Sequence, residues 1–447
     1  MSVAHRVIAS VTRPLPISRT AIALSTILLV ALAARVFVLE VTLGAPCFAW
    51  SDSDRYLSGQ AASLVRSGHW RWTWDAVDYV WHGQHWTLAP LYPVFLSLIG
   101  AVADPMKGAV AHIALSVAAV GLLFRAGQSL HSARAGLVAA GLAAVWLSEV
   151  GAAPHFMQER LFVPLMVAAF ALLLRATSTD DRRPAWFAVA GVVFALAGLT
   201  RPTALYYLPV AAGIVAFGPG RPSRRVAAWQ ALALLAGSFI VAGPYVAAVS
   251  AARGQLILVD NHGAIESFQN GAFSPLTEIA SRMTTAPVEY LSEKLLTARA
   301  LLHLNGGRWT QHYGTASTPE GALAWKLLAH AFIDVPLLLV ATLAPVGLVL
   351  ARARRGAWLL GAWIAMSVIL TTLAGYGGAR YRVPIEFPMM LLASVPLAHG
   401  LPRGVLAMPR LMTAAAVSAA IMVLLLMQVP ATLKAVAEPV VKCSGAP

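Results

Sequence analysis

Asp52 and Asp54 stand four and two residues before Tyr56, near the start of the polar stretch Ser51–Pro93. A carboxylate held beside a hydroxyl can take its proton and serve as a general base. Asp75 and Asp78 lie in the same stretch, together with Trp70, Trp72, Trp74, Trp81 and Trp86. Indole rings prefer the membrane–water boundary, being apolar with one polar handle. Acids on a Trp-belted segment therefore point to chemistry done at a membrane surface.

A second set of charges interrupts the apolar sequence: Glu149, Glu159, Arg160, Arg201, Arg380 and Arg382. Charge near a membrane segment is costly and usually faces a polar cavity or a partner. Taken singly, each also reads as a helix-end residue reaching the headgroups. Grouped with Asp52 or Asp54, they suit an anionic lipid phosphate, because the planar guanidinium pairs with two phosphate oxygens at once. His69, His82 and His85 lack metal-ligand spacing on a regular element, so they read as interfacial polar groups rather than a metal site. Asn261 and His262, ahead of Gly263, read first as a turn and second as a substrate contact. No histidine is placed near a nucleophile by local spacing, and no Gly-rich phosphate loop or HExxH pattern occurs.

These residues need elements to position them, and composition says which kind. The 447 residues are 58% hydrophobic and 12% charged, with a mean hydropathy of +0.70. Soluble domains carry about 25% charged residues, so this is a polytopic, all-α membrane protein. A formal charge of +14 is better explained by basic cytoplasmic loops than by nucleic-acid binding. Cys47 and Cys443 are too few for a disulfide framework; both are expected outside, as free thiols or a single bridge. The apolar run at 21–40 follows a basic flank and is too long for a signal-peptide core, so it reads as an anchor.

Further apolar runs lie near 90–103, 108–124, 135–150, 161–174, 185–200, 203–219, 226–250, 327–350, 357–375, 383–398 and 405–428. The first of these is short for a crossing. If it lies along the surface, the basic segments 125–134, 175–183, 221–225, 352–355 and 403–410 all fall on the side of the basic N-terminus, as the positive-inside rule asks. The expectation is one integral membrane domain over 1–447 with about eleven transmembrane helices and a cytoplasmic N-terminus. A first outer loop, 42–107, would carry juxtamembrane helices and the acids. A second, 251–325, has turn signals at Asn261–Gly263, Asn270–Gly271 and Asn305–Gly307 and would form a small helical cap.

Five stretches in order resemble the GT-C superfamily of polyprenyl-phosphate-sugar glycosyltransferases, in particular its protein O-mannosyltransferase-like and aminoarabinose-transferase-like branch. They are Asp52-Ser-Asp-Arg-Tyr56, Ala89-Pro-Leu-Tyr-Pro93, Glu159-Arg-Leu-Phe162, Gly198-Leu-Thr-Arg-Pro-Thr203 and Arg380-Tyr-Arg-Val-Pro384. The second has Ala89 where that branch commonly has another proline. The first offers two acids, and spacing to Tyr56 favours Asp52. The resemblance implies a sugar carried on a polyprenyl phosphate to the outer face of a bacterial plasma membrane. There Asp52, or Asp54, would deprotonate an acceptor hydroxyl or amine on a lipid, glycan or protein, with inversion at the anomeric carbon. It further implies Arg201, Arg380 and Arg382 as donor-phosphate ligands, and Tyr56, Glu159, Arg160, Tyr381, Asn261 and His262 as substrate contacts. No cofactor is required; a divalent metal is compatible with the scheme without being needed. The rival reading is a lipid or solute transporter or flippase, whose buried charges would mark a path. One-sided charge and the lack of repeated halves speak against it.

Overall fold

The computed structural model describes residues 17–43, 79–81, 84–86, 89–101, 103–153, 156–178, 183–253, 281–301, 334–373, 382–400 and 409–426. Asp52, Asp54, Tyr56, Asn261, His262, Arg380, Tyr381, Cys47 and Cys443 lie outside the described residues. Apart from one small hairpin, the described chain is helical. The helices are α1 (Ile17–Leu43), α2 (Leu91–Leu98), α3 (Pro105–Leu130), α4 (Ala133–Ala144), α5 (Leu147–Ala152), α6 (Glu159–Ser178) and α7 (Pro184–Gly198). There follow α8 (Thr203–Phe217), α9 (Arg224–Arg253), α10 (Pro287–Leu301), α11 (Val335–Leu350), α12 (Arg355–Leu373), α13 (Val383–His399) and α14 (Pro409–Leu426).

Segments of α1, α3, α6, α9 and α12 are each long and apolar enough to cross a bilayer. Six shorter apolar helices, α4, α7, α8, α11, α13 and α14, accompany them. Helices hold such a chain together because hydrocarbon offers no partner to an unpaired backbone group. The hairpin pairs β1 (Tyr79–Trp81) with β2 (Gln84–Trp86) in antiparallel register, Val80 opposite His85. Val80 and the aromatic Tyr79, Trp81 and Trp86 favour extended backbone. Here a short strand pair stands inside a loop expected to carry helices alone.

The core is built from α3, α4, α6, α7, α8, α11, α12 and α13, centred on Phe162, Phe170, Phe194, Tyr207 and Trp363. Phe170 touches Phe194, Tyr207, Trp363 and Phe387, with ring centroids 5.4 to 6.0 Å apart. Close helix approach depends on missing side chains. A Cβ on Gly191 of α7 would overlap the carbonyl oxygen of Leu234 on α9, and one on Gly237 would overlap that of Ala188. Small residues let membrane helices pack backbone to backbone in this way. Across the same seam the Ser238 hydroxyl donates to the Gly191 carbonyl at 3.0 Å.

Two ends of the bundle differ in chemistry. At one end the connections 131–132, 218–223 and 351–354 meet the ends of α6 and α13. Ser132 Oγ lies 2.8 Å from His399 Nε2, and Arg354 Nη1 donates to the Ser129 carbonyl at 3.4 Å. Arg355 Nη1 donates to the Val215 carbonyl at 3.1 Å. The opposite end collects the starts of α2, α6, α8 and α13, and with them the ion pairs described next.

Candidate active site

The turn before α8 is where two of the sequence stretches meet. Leu199 closes α7, and its carbonyl accepts a hydrogen bond from the Leu91 backbone at 2.9 Å. That contact fastens the proline-rich Ala89–Pro93 segment to Gly198–Thr203. Eight residues of α2 span only about 12 Å, far short of the roughly 30 Å hydrocarbon core. Tyr92 of this helix is fully buried. Its ring stacks on His112 of α3 at 5.9 Å, and its hydroxyl lies 3.4 Å from His112 Nε2.

Just beyond, Arg201 Nη1 lies 3.0 Å from Oε1 of Glu159, the first residue of α6. A carboxylate in the first turn of a helix also meets the positive end of the helix dipole. The carboxylate is fully buried while the arginine side chain keeps 16% exposure. The Arg201 guanidinium sits 5.9 Å from the Phe162 ring centroid, within cation–π range. Next to it Arg160 Nη1 donates to Glu149 Oε2 at 2.9 Å. Among the described residues Arg160 Nε and Glu149 Oε1 are buried without hydrogen-bond partners.

A third pair opens α13. Arg382 Nε donates to Glu386 Oε1 at 2.8 Å, with both side chains 1% exposed. The other Glu386 oxygen accepts from Trp146 Nε1 at 2.6 Å and from Ser148 Oγ at 2.9 Å. This carboxylate therefore ties the break between α4 and α5 to the start of α13. A small cavity of about 30 Å³ beside it is lined by Arg35, Ser116, Glu149 and Glu386 among others. Arg35 is 1% exposed. It donates to Ser116 Oγ at 2.8 Å and to the carbonyls of Ala31, Ala144 and Ala143 at 2.9, 3.1 and 3.4 Å.

Of the residues singled out in the sequence, Glu159, Arg160, Arg201 and Arg382 thus gather at one end, each with a partner of opposite charge. Glu386, Trp146, Arg35 and His112 were not singled out. Glu386 was findable, since it stands four residues after Arg382 on one helix face. Arg35 and His112 carry no such signal, because their partners come from other helices. No group of three or more His, Cys, Asp or Glu suited to a metal ion occurs among the described residues.

Residues 88–247 match the family model described as dolichyl-phosphate-mannose-protein mannosyltransferase. The matched segment runs from the Leu91 contact through all of Glu149, Glu159, Arg160 and Arg201. The match covers 160 of the 447 residues, so it marks a resemblance over that segment. No curated protein matches this chain. Among solved structures, the archaeal oligosaccharyltransferase AglB from Archaeoglobus fulgidus, in complex with an inhibitory peptide and a dolichol-phosphate, is 14% identical with a TM-score of 0.46. That alignment covers 91% of this chain and 56% of AglB, so the chain spans little more than half of that relative. ArnT from Cupriavidus metallidurans, bound to undecaprenyl phosphate, is 15% identical with a TM-score of 0.46, covering 91% of this chain and 73% of ArnT.

Proposed function

We propose that the chain transfers a sugar from a polyprenyl-phosphate donor to an acceptor hydroxyl or amine at the outer membrane face. The observation that carries this reading is the gathering of Glu159–Arg201, Arg160–Glu149 and Arg382–Glu386 at the end of the bundle opposite the basic connections. Buried charge is expensive in a membrane protein and is kept where it serves a site. In this reading Asp52 takes the acceptor proton as the acceptor oxygen or nitrogen attacks the anomeric carbon. The bond from that carbon to the phosphate oxygen breaks, and polyprenyl phosphate leaves with the electron pair. Attack from the face opposite the leaving group inverts the anomeric centre.

Arginines stabilise the charge that grows on the leaving phosphate. Arg201, partly exposed and anchored on Glu159, is the described arginine best placed for that contact, with Arg380 beside it in the scheme. Arg382, buried on Glu386, fixes the chain that carries Arg380 and Tyr381. Tyr56, Asn261 and His262 would complete the acceptor and sugar contacts, and Asp54 is the alternative base.

The topology belongs to the same proposal. In it the five long apolar helices and the six shorter ones would together serve as eleven spans of one membrane domain, with 42–107 and 251–325 as outer loops and a cytoplasmic N-terminus. The shorter helices, of 12 to 18 residues, cross by local thinning of the bilayer. The test is transfer by purified protein in nanodiscs, using a short-chain polyprenyl-phosphate mannose or aminoarabinose and an extract of envelope acceptors. Loss of donor without a glycosylated product, across both sugars and with intact fold, would refute the reading.

A further inference from the structure

At the end of the bundle away from the ion pairs lies a cavity of about 200 Å³ lined by Ser129, Thr177, Gly220, Arg354 and Arg355, with the apolar Leu130 and Leu174 alongside. One water needs about 10–15 Å³ of such space, so the cavity has room for a much larger group. Among the described residues that line it there are two guanidiniums and no carboxylate. Arg355 is 5% exposed. Its Nη1 donates to the Val215 carbonyl at 3.1 Å and to Gln230 Oε1 at 3.2 Å, both neutral acceptors. Its Nε is buried with no hydrogen-bond partner among the described residues. Arg354 makes one long contact, 3.4 Å to the Ser129 carbonyl. A buried cation without a counter-charge is strongly unfavourable, and a bound anion removes that cost.

The backbone favours the same occupant. Arg355 and Gly356 open α12 and both line the cavity, so the positive end of a 19-residue helix points at it. Gly220, at φ +65°, turns the opposing loop close to the Ala353 carbonyl. Thr177 donates to the carbonyls of Leu173 and Leu174, which leaves the charge-bearing contacts to the two arginines. From these observations we propose that the cavity is a second, non-catalytic anion site that binds a phosphate group, presented by a phospholipid headgroup or by free phosphate. Planar guanidiniums match phosphate oxygens in pairs, and basic pockets at helix ends hold anionic headgroups. The α6 helix separates this site from Glu159 by about 30 Å.

The experiment uses the full-length protein, delipidated in a neutral detergent, with thermal unfolding followed during titration. Three ligands are compared at constant ionic strength: inorganic phosphate, phosphatidylglycerol in mixed micelles, and chloride. Phosphatidylglycerol is expected to raise the unfolding temperature where chloride does not. A shift with inorganic phosphate as well identifies a site open to the free ion; a shift with the lipid alone identifies a headgroup site. Arg354→Gln, whose side chain is more exposed and less structural than that of Arg355, should weaken binding by about tenfold, one charge-assisted hydrogen bond. Ser129→Leu should do the same by filling the space with both arginines intact. Arg201→Gln should leave the shift unchanged, which separates this site from the one proposed for catalysis. Asp180 and Asp181 follow Ser178 in sequence and lie outside the described residues. If one of them already neutralised the arginines, neither anion would shift the transition and the proposal would fail. An undiminished shift in both Arg354→Gln and Ser129→Leu would equally overturn it.

Discussion

Replacing Glu386 with Ala removes, in one step, the acceptor for Arg382 Nε, Trp146 Nε1 and Ser148 Oγ. It takes the carboxylate away from a buried guanidinium, a loss of about 3–5 kcal/mol in stability. Thermal unfolding in detergent should register it, and Glu386→Gln, which keeps the shape and one acceptor, should cost less. Under the proposed mechanism Asp52→Asn should make the opposite separation: the fold and donor binding should stay while turnover falls by about 10² to 10⁴. Asp54→Asn should cost less turnover; loss confined to Asp54→Asn would move the base there. These two experiments divide residues that hold the site from those that react in it. The sequence made Glu159, Arg160, Arg201 and Arg382 visible, because charge in an apolar context is rare. It left their pairing open, since Arg201 finds Glu159 and Arg160 finds Glu149 only after the helices have packed.

Helices were legible to within a few residues wherever an apolar run stood alone, as in 203–219 against Thr203–Phe217. The run 135–150 was not, for it breaks into α4 and α5 at Val145 and Trp146. Hydropathy cannot reveal that break; Trp146 is extended there, with its indole spent on Glu386. Contact between α7 and α9 gives a prediction of its own. Gly191→Ala should destabilise by about 1–3 kcal/mol through overlap with the Leu234 carbonyl. Gly213→Ala, with nothing within 4 Å of its added carbon, should be tolerated when the two are unfolded side by side. The junction of α3 and α13 predicts a pH response. Burial first, then the neighbouring His399 and Arg354, pulls His131 down to about 4 from 6.5. Between those values the unfolded chain binds more protons, so stability rises with pH across the window and levels off below it. Unfolding temperature should therefore fall on acidification from about 6.5 to 4, and His131→Asn should flatten that slope.

On the scale of the molecule, sidedness is the property to measure. In a background without Cys47 and Cys443, a cysteine at exposed Lys107 should react with an impermeant reagent added outside, and one at exposed Arg352 should not. Reaction at Arg352 alone would invert the proposed orientation. Charge bias carried this expectation, because translocation reads Lys and Arg near helix ends. The ends themselves are joined by contacts far apart in sequence, such as Ser132 with His399, which no local pattern announces. Arg35 extends that point to biogenesis. The helix that bears it is synthesised before α3 and α4, and an arginine within a membrane helix is costly to insert. Its acceptors on Ser116, Ala143 and Ala144 emerge from the ribosome only some eighty to one hundred and ten residues later. The first helix thus enters the bilayer carrying a debt of solvation that the third and fourth helices discharge. Assembly thereby acquires a direction, since α1 completes the hydrogen bonds of its arginine only once α3 and α4 pack against it.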